Sequence, residues 1–254
     1  MVRRTITKLC VLAGLTLAAG GCSGQHWGPM TWMGPSSMYR RVPAGSIDRP
    51  GVVMTSRRPA PARRTYAPAR LGSAVPPRSV AAAPVAAGDL AWHVAGTSRP
   101  WRYIVIHHSA TAGGNAERFD ASHRRDCGFD ELGYHFVIDN GNGGPDGRVE
   151  VGSRWPKQKH GAHTGGTPDN EYNNFGIGIC LVGDFSTRLP DREQLDALWR
   201  LVCYLAEHHD IPPEHVIGHR DAPNAATECP GDRLHAYLHQ TLRPHLRRQL
   251  AMGR

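Results

Sequence analysis

The chain has no internal repeat, no alternation of basic and aromatic residues that would make a nucleic-acid platform, and only 7% aromatic residues in 254. These absences argue against a repeat architecture and against nucleic acid as a partner. The apolar stretch Leu9–Ala19 falls well short of the ~20 residues that cross a bilayer as a helix. Acidic residues are scarce in one region. Between Cys22 and Leu90 there are nine Arg against Asp48 and Asp89, a net charge of +7 out of +8 for the whole chain. That region also lacks any sustained apolar period. It is rich in Pro, Ala, Arg, Ser and Gly, so it cannot bury enough apolar surface to offset the entropy of ordering. Cysteine is sparse, at six. Cys180 and Cys203 sit in apolar runs and read as small buried hydrophobes, while Cys127 lies in a polar turn.

What is present begins with Arg3, Arg4 and Lys8, followed by Leu9–Ala19 and then Gly20-Gly21-Cys22-Ser23. A basic flank, a short apolar stretch and small residues make a secretory signal. A cysteine directly after small residues resembles the lipid acceptor of a bacterial lipoprotein signal. The expected organisation is a signal over 1–21, a disordered tether over 22–90 and one folded domain over 91–254. Lipidation of Cys22 would hold the protein on a membrane, and the basic tether would lie against anionic lipid or wall polymer. Ser23 carries no acidic retention signal. The expected location is therefore the cell envelope, at the outer membrane facing the periplasm in a diderm host. A monomer is expected.

Past residue 90 the pattern becomes periodic. Tyr103–His108 and Gly176–Val182 read as buried strands, Tyr134–Ile138 and Arg148–Val151 as a hairpin, and His215–His219 as a short strand. Ala116–Arg125 reads as a helix capped by Asn115, and Asp191–His208 as the clearest helix, with Leu195, Leu198, Val202 and Leu205 on one face. Pro230 is expected to open a last helix that Pro244 kinks or ends. Strands interleaved with helices predict a single α/β domain, a central mixed sheet flanked by about three helices.

Histidines end two of these strands, at His107-His108 and at His219, and Cys229 follows in Thr227-Glu228-Cys229-Pro230-Gly231. Two imidazoles and a thiolate suit zinc, and three protein ligands leave a coordination position open for catalysis. The gap from His219 to Cys229 is not a common zinc-finger spacing. Strand alternation puts His107 and His108 on opposite faces, so only one of them is a ready ligand, and periodicity does not choose between them.

Five segments together resemble the zinc-dependent N-acetylmuramoyl-L-alanine amidases of type 2, the superfamily that includes phage lysozyme-like amidases and animal peptidoglycan recognition proteins. They are Tyr103–Thr111, Leu132–Ile138 with Asp146–Glu150, Gly161–Thr164, Tyr172–Ile179, and Gly218–Asp221 with Thr227–Gly231, in the family's order. The resemblance implies that His107, His219 and Cys229 bind zinc, and that Tyr134 and Thr227 assist catalysis. Cys229 and Tyr134 place the chain beside the recognition-protein and phage branch rather than the branch that uses Asp and Glu there. The implied reaction is hydrolysis, by zinc-activated water, of the amide joining N-acetylmuramic acid to L-alanine of peptidoglycan or a muropeptide. His163, His108, Asn173 and Trp155 are the candidate substrate contacts. The alternative is a non-catalytic peptidoglycan-binding module on the same fold.

Overall fold

The computed structural model describes residues 89–94 and 96–253. The signal segment 1–21, Cys22 and the tether as far as residue 88 lie outside the described residues. Strand β1 (Tyr103–His108) lies between β4 (Gly176–Leu181) and β5 (Val216–Gly218), parallel to both. Strand β2 (Phe136–Ile138) is parallel to β4 on its other side, and β3 (Val149–Val151) closes an antiparallel hairpin with β2. The order β3-β2-β4-β1-β5 makes a mixed sheet, as the α/β reading expects.

Alternation then divides the strands between two layers. Ile104, Ile106, Phe136, Ile138, Ile177, Ile179 and Leu181 join one large apolar cluster with Leu198, Leu201, Val202 and Leu205 of α3 (Arg192–His208). Each such side chain, fully buried, contributes about 1.5–3 kcal/mol. Val137, Cys180 and Val182 point to the other face, where they meet Phe119 and Leu132 in a smaller cluster. The successive residues of β1 alternate likewise, so His107 shares the thinly covered face.

Side-chain caps and links fix the helices. Asn115 accepts from Arg118 N at the start of α1 (Ala116–Ser122), and Asp191 accepts from Gln194 N at the start of α3; caps of this kind contribute about 1 kcal/mol each. Gln194 Nε2 donates to the carbonyls of Ile138 and Val182, fastening α3 to the sheet. α1 passes into a π turn, His123–Cys127, and α2 (Glu171–Asn174) is a single turn before β4. Among the described residues, no helix is long and apolar enough to cross a membrane.

Two proline expectations are corrected. The last helical run starts at Asp232, not Pro230, because Gly231 adopts φ 91° ahead of it. Pro244 does not end this run. α4 (Asp232–Tyr237) continues through a π turn, Leu238–Leu242, into α5 (Arg243–Met252), and Pro244 sits in the first turn of α5, directly after the π turn.

Candidate metal centre

The parallel pairing of β1 and β5 sets Ile106 beside Gly218, so the next residues, His107 and His219, stand together at the carboxyl ends of adjacent strands. Crevices at such strand ends are the usual ligand sites of α/β sheets. The chain then returns, and Arg220 N donates to the Cys229 carbonyl at 2.9 Å, tying the two loops together. The Arg220 guanidinium donates to Asp232 at 2.6 Å and to the Glu228 carbonyl. One ligand atom each from His107, His219 and Cys229 falls within 4.8 Å of the others.

This donor set fits zinc. With bonds of about 2.1 Å to nitrogen and 2.3 Å to sulfur, a tetrahedral ion separates the two ligand atoms by roughly 3.6 Å. Cys229 Sγ lies 3.7 Å from His107 Nδ1. The hydrogen bonds behind His107 leave that nitrogen free. The Gly176 carbonyl can only accept, so His163 Nε2, 3.2 Å away, carries the proton. His163 Nδ1 is then an acceptor, taking the Thr164 hydroxyl at 2.8 Å and the His107 Nε2–H at 3.1 Å. His107 Nδ1 therefore keeps its lone pair and turns it toward Cys229. An orienting partner on the far nitrogen is the usual arrangement for a metal-binding histidine.

Electrostatics agree. Burial, then the neighbouring His219 and His163, holds the His107 pKa well below the usual histidine value. Burial, then His108, lowers that of His219 to about 4. Both rings are neutral near pH 7. Burial pushes the Cys229 thiol up to about 12, against the pull of the His108 N–H, which donates to Sγ at 3.3 Å, and of Arg220. A divalent cation would supply the positive charge that a thiolate needs here.

Tyr134 is half-buried beside the centre, its ring 5.1 Å from that of His107 and 5.4 Å from that of His123. Thr227 Oγ1 accepts from Cys229 N at 3.1 Å, at the rim of the same loop. His123 is a site neighbour that sequence reasoning missed. It is buried, its Nδ1 accepts from Gly133 N at 3.0 Å, and it thereby holds the backbone just before Tyr134. Local sequence carried no signal for it beyond a histidine near a helix end.

The four candidate substrate contacts lie as follows. His163 is buried behind His107, with both ring nitrogens engaged. The close seat requires glycines: a Cβ on Gly178 would stand 2.4 Å from His163 Cδ2, and one on Gly161 2.3 Å from it. Asn173 is also consumed internally, its Oδ1 accepting from His163 N and Thr164 N and its Nδ2 donating to Thr164 O. The His108 ring lies against Phe185, its Nδ1 3.5 Å from Phe185 N and 3.9 Å from Asp184, on the side away from His107. Trp155 is 1% exposed in the large cluster, stacked on Trp101, its indole N–H donating to the Trp92 carbonyl. Asp221, two residues past His219, accepts from Gly218 N and meets His235 and His239.

Residues 97–232 match the family model described as N-acetylmuramoyl-L-alanine amidase, Amidase_2. Peptidoglycan-recognition protein 1 of Holotrichia diomphalia is 34% identical over 157 residues, spanning 58% of this chain and 73% of that protein. The N-acetylmuramoyl-L-alanine amidase of Sus scrofa is 29% identical over 147 residues, 53% of this chain and 22% of that one. Among solved structures, the N-acetylmuramoyl-L-alanine amidase LysC from Clostridium intestinale is 25% identical, with a TM-score of 0.47, covering 60% of this chain and 87% of that chain.

Proposed function

This chain belongs to the N-acetylmuramoyl-L-alanine amidase family, Amidase_2, and on that premise we propose that it hydrolyses the amide between N-acetylmuramic acid and the L-alanine of a peptidoglycan stem. The convergence of His107, His219 and Cys229 within 4.8 Å, with two neutral imidazoles and one thiol, carries this reading. Zinc, when held by these three, supplies a Lewis acid that polarises the carbonyl and acidifies water. The chain's own groups do the rest. His163 and the His108 N–H fix the ligand atoms. The Tyr134 hydroxyl donates to the oxygen that gains charge as the carbonyl becomes tetrahedral, a contribution of about 3 kcal/mol for a well-aimed donor. Thr227 holds the Cys229 backbone and offers a second hydroxyl at the rim.

The test is digestion of purified cell-wall sacculi by the full chain, with and without chelator, read by mass spectrometry. Release of peptides with a free L-alanine amino terminus, abolished by Cys229→Ala, supports an amidase. Binding to sacculi without release, unchanged in Cys229→Ala, would instead make the chain a recognition module, the activity that the names of its recognition-protein relatives advertise. We further propose that Cys22 is lipidated and anchors the protein to an envelope membrane, which the Gly20-Gly21-Cys22 sequence supports. Cys22→Ala should then move the protein from the membrane fraction to the soluble one, with loss of the acyl mass.

A further inference from the structure

A second group of metal-ligating side chains lies beside the turn that carries His219. The turn His219–Asp221 presents Asp221, while α4 and the π turn after it present His235 and His239. Residues four apart on a helix share a face, and the two rings stand 4.5 Å apart. His235 Nε2 is 2.7 Å from Asp221 Oδ1, and His239 Nε2 is 3.0 Å from Asp221 Oδ2. One ligand atom from each of the three lies within 4.8 Å of the others. Gly218 N donates to Asp221 Oδ2 at 2.9 Å, so the carboxylate is aimed before any ion arrives. All three side chains are partly open to solvent, at 28%, 36% and 24% for His235, His239 and Asp221.

We infer that Asp221, His235 and His239 form a second site for a divalent transition-metal ion, separate from the centre made by His107, His219 and Cys229. Two imidazoles and one carboxylate suit zinc, copper or nickel, and their nitrogen donors disfavour magnesium and calcium. Without an ion, each imidazole donates its Nε2–H to the carboxylate. With one, each ring carries its single proton on Nδ1 instead, and both Nε2 lone pairs turn to the ion. Arg243 opposes the exchange. Its Nη1 lies 3.0 Å from His239 Nδ1. A guanidinium only donates, so Nδ1 must accept and the ring proton is held on Nε2, where the ion would bind. The Arg243 charge repels the ion as well. A bound ion would clamp the His219 turn to the C-terminal helical run.

Cobalt separates the two sites, because only the Cys229 centre can give a thiolate-to-metal charge-transfer band. The chelator-stripped full chain is titrated with Co2+, and bound metal is counted by dialysis and elemental analysis alongside the spectrum. The wild type should bind two ions, one of them silent in the thiolate band. His235→Ala and His239→Ala should each bind one, with the band intact, which also reports that the domain is folded. Cys229→Ala should bind one without the band, so failure of the thiolate centre is read independently of this site. Arg243→Ala should tighten the silent site by roughly tenfold, because it removes both the donor that keeps the His239 proton on Nε2 and a positive charge beside the ion. A single ion in the wild type that carries the thiolate band, or a silent ion that survives the double His235→Ala, His239→Ala substitution, overturns the proposal; a single silent ion lost with His235 and His239 leaves it standing and counts against the thiolate centre.

Discussion

Removing the His163 imidazole should weaken binding of a metal that the residue does not ligate. His107 is 1% exposed, and its Nε2–H is 3.1 Å from His163 Nδ1. In His163→Ala that N–H loses its acceptor where bulk water does not reach. A buried unsatisfied donor costs about 1–3 kcal/mol, or roughly 5- to 150-fold in an equilibrium constant. His107 can avoid the cost only by moving the proton to Nδ1, which blocks the atom facing Cys229. Both routes lower affinity, and the loss of an orienting partner commonly amounts to about 10- to 100-fold. His163→Gln, whose carbonyl oxygen can accept, should recover part of the loss. Gly178→Ala should reproduce it with His163 present, because the new Cβ would stand 2.4 Å from His163 Cδ2 and push the ring off its seat. The assay is zinc affinity by competition with a chromogenic chelator, on protein shown by far-ultraviolet circular dichroism to be folded. Wild-type affinity in folded His163→Ala would refute the tautomer argument.

Three other outcomes are expected. Tyr134→Phe should retain its metal while its rate on sacculi falls roughly a hundredfold, the effect of about 3 kcal/mol of lost oxyanion stabilisation; an unchanged rate would remove Tyr134 from the chemistry. Trp155→Ala should cost about 3–5 kcal/mol in denaturant unfolding without changing KM, because the indole is packed in the core; a changed KM in the folded variant would return it to the cleft. Asp139 has its carboxyl raised from 3.8 to about 7, by burial first and then by Glu150, against the pull of Arg148. The folded chain therefore holds this proton at pH values where the unfolded chain has released it. The resulting stability is fully present below about pH 4 and is lost as pH rises through about 7. Asp139→Asn should flatten that decline between about pH 4 and pH 7 in thermal melts, since the amide cannot ionise; an unaltered slope would count against it.

The periodic elements were legible from sequence because burial dictates them. Tyr103–His108 is an inner strand of the sheet and α3 covers that sheet, and their apolar spacing says so. The two caps, Asn115 and Asp191, follow from side-chain oxygens that serve otherwise unpaired N–H groups. The strand and loop positions of the three ligands could be named, but their convergence depends on the parallel pairing of β1 with β5, which no local pattern encodes. Parity put His108 opposite His107, and the structure agrees, so naming both as site residues set that rule aside. His163 and Asn173 read as free polar groups because their partners, the carbonyl of Gly176 and the backbone of the His163 loop, are main-chain atoms. Trp155 follows Arg154 near a turn, and such a tryptophan looks the same in sequence at a rim or in a core.

Cys229 and His107 are 122 positions apart, yet their side chains meet at one point. A ligand set of this kind does not exist in a nascent or unfolded polypeptide, since closing so long a loop without the sheet carries a large entropic penalty. Under the proposed function, hydrolytic competence would wait for the whole domain to assemble, and metal uptake would be a late report that assembly is complete. A cut in a surface connection between the two residues would leave fragments joined by the sheet and the core, and a bound ion would add one further link between them.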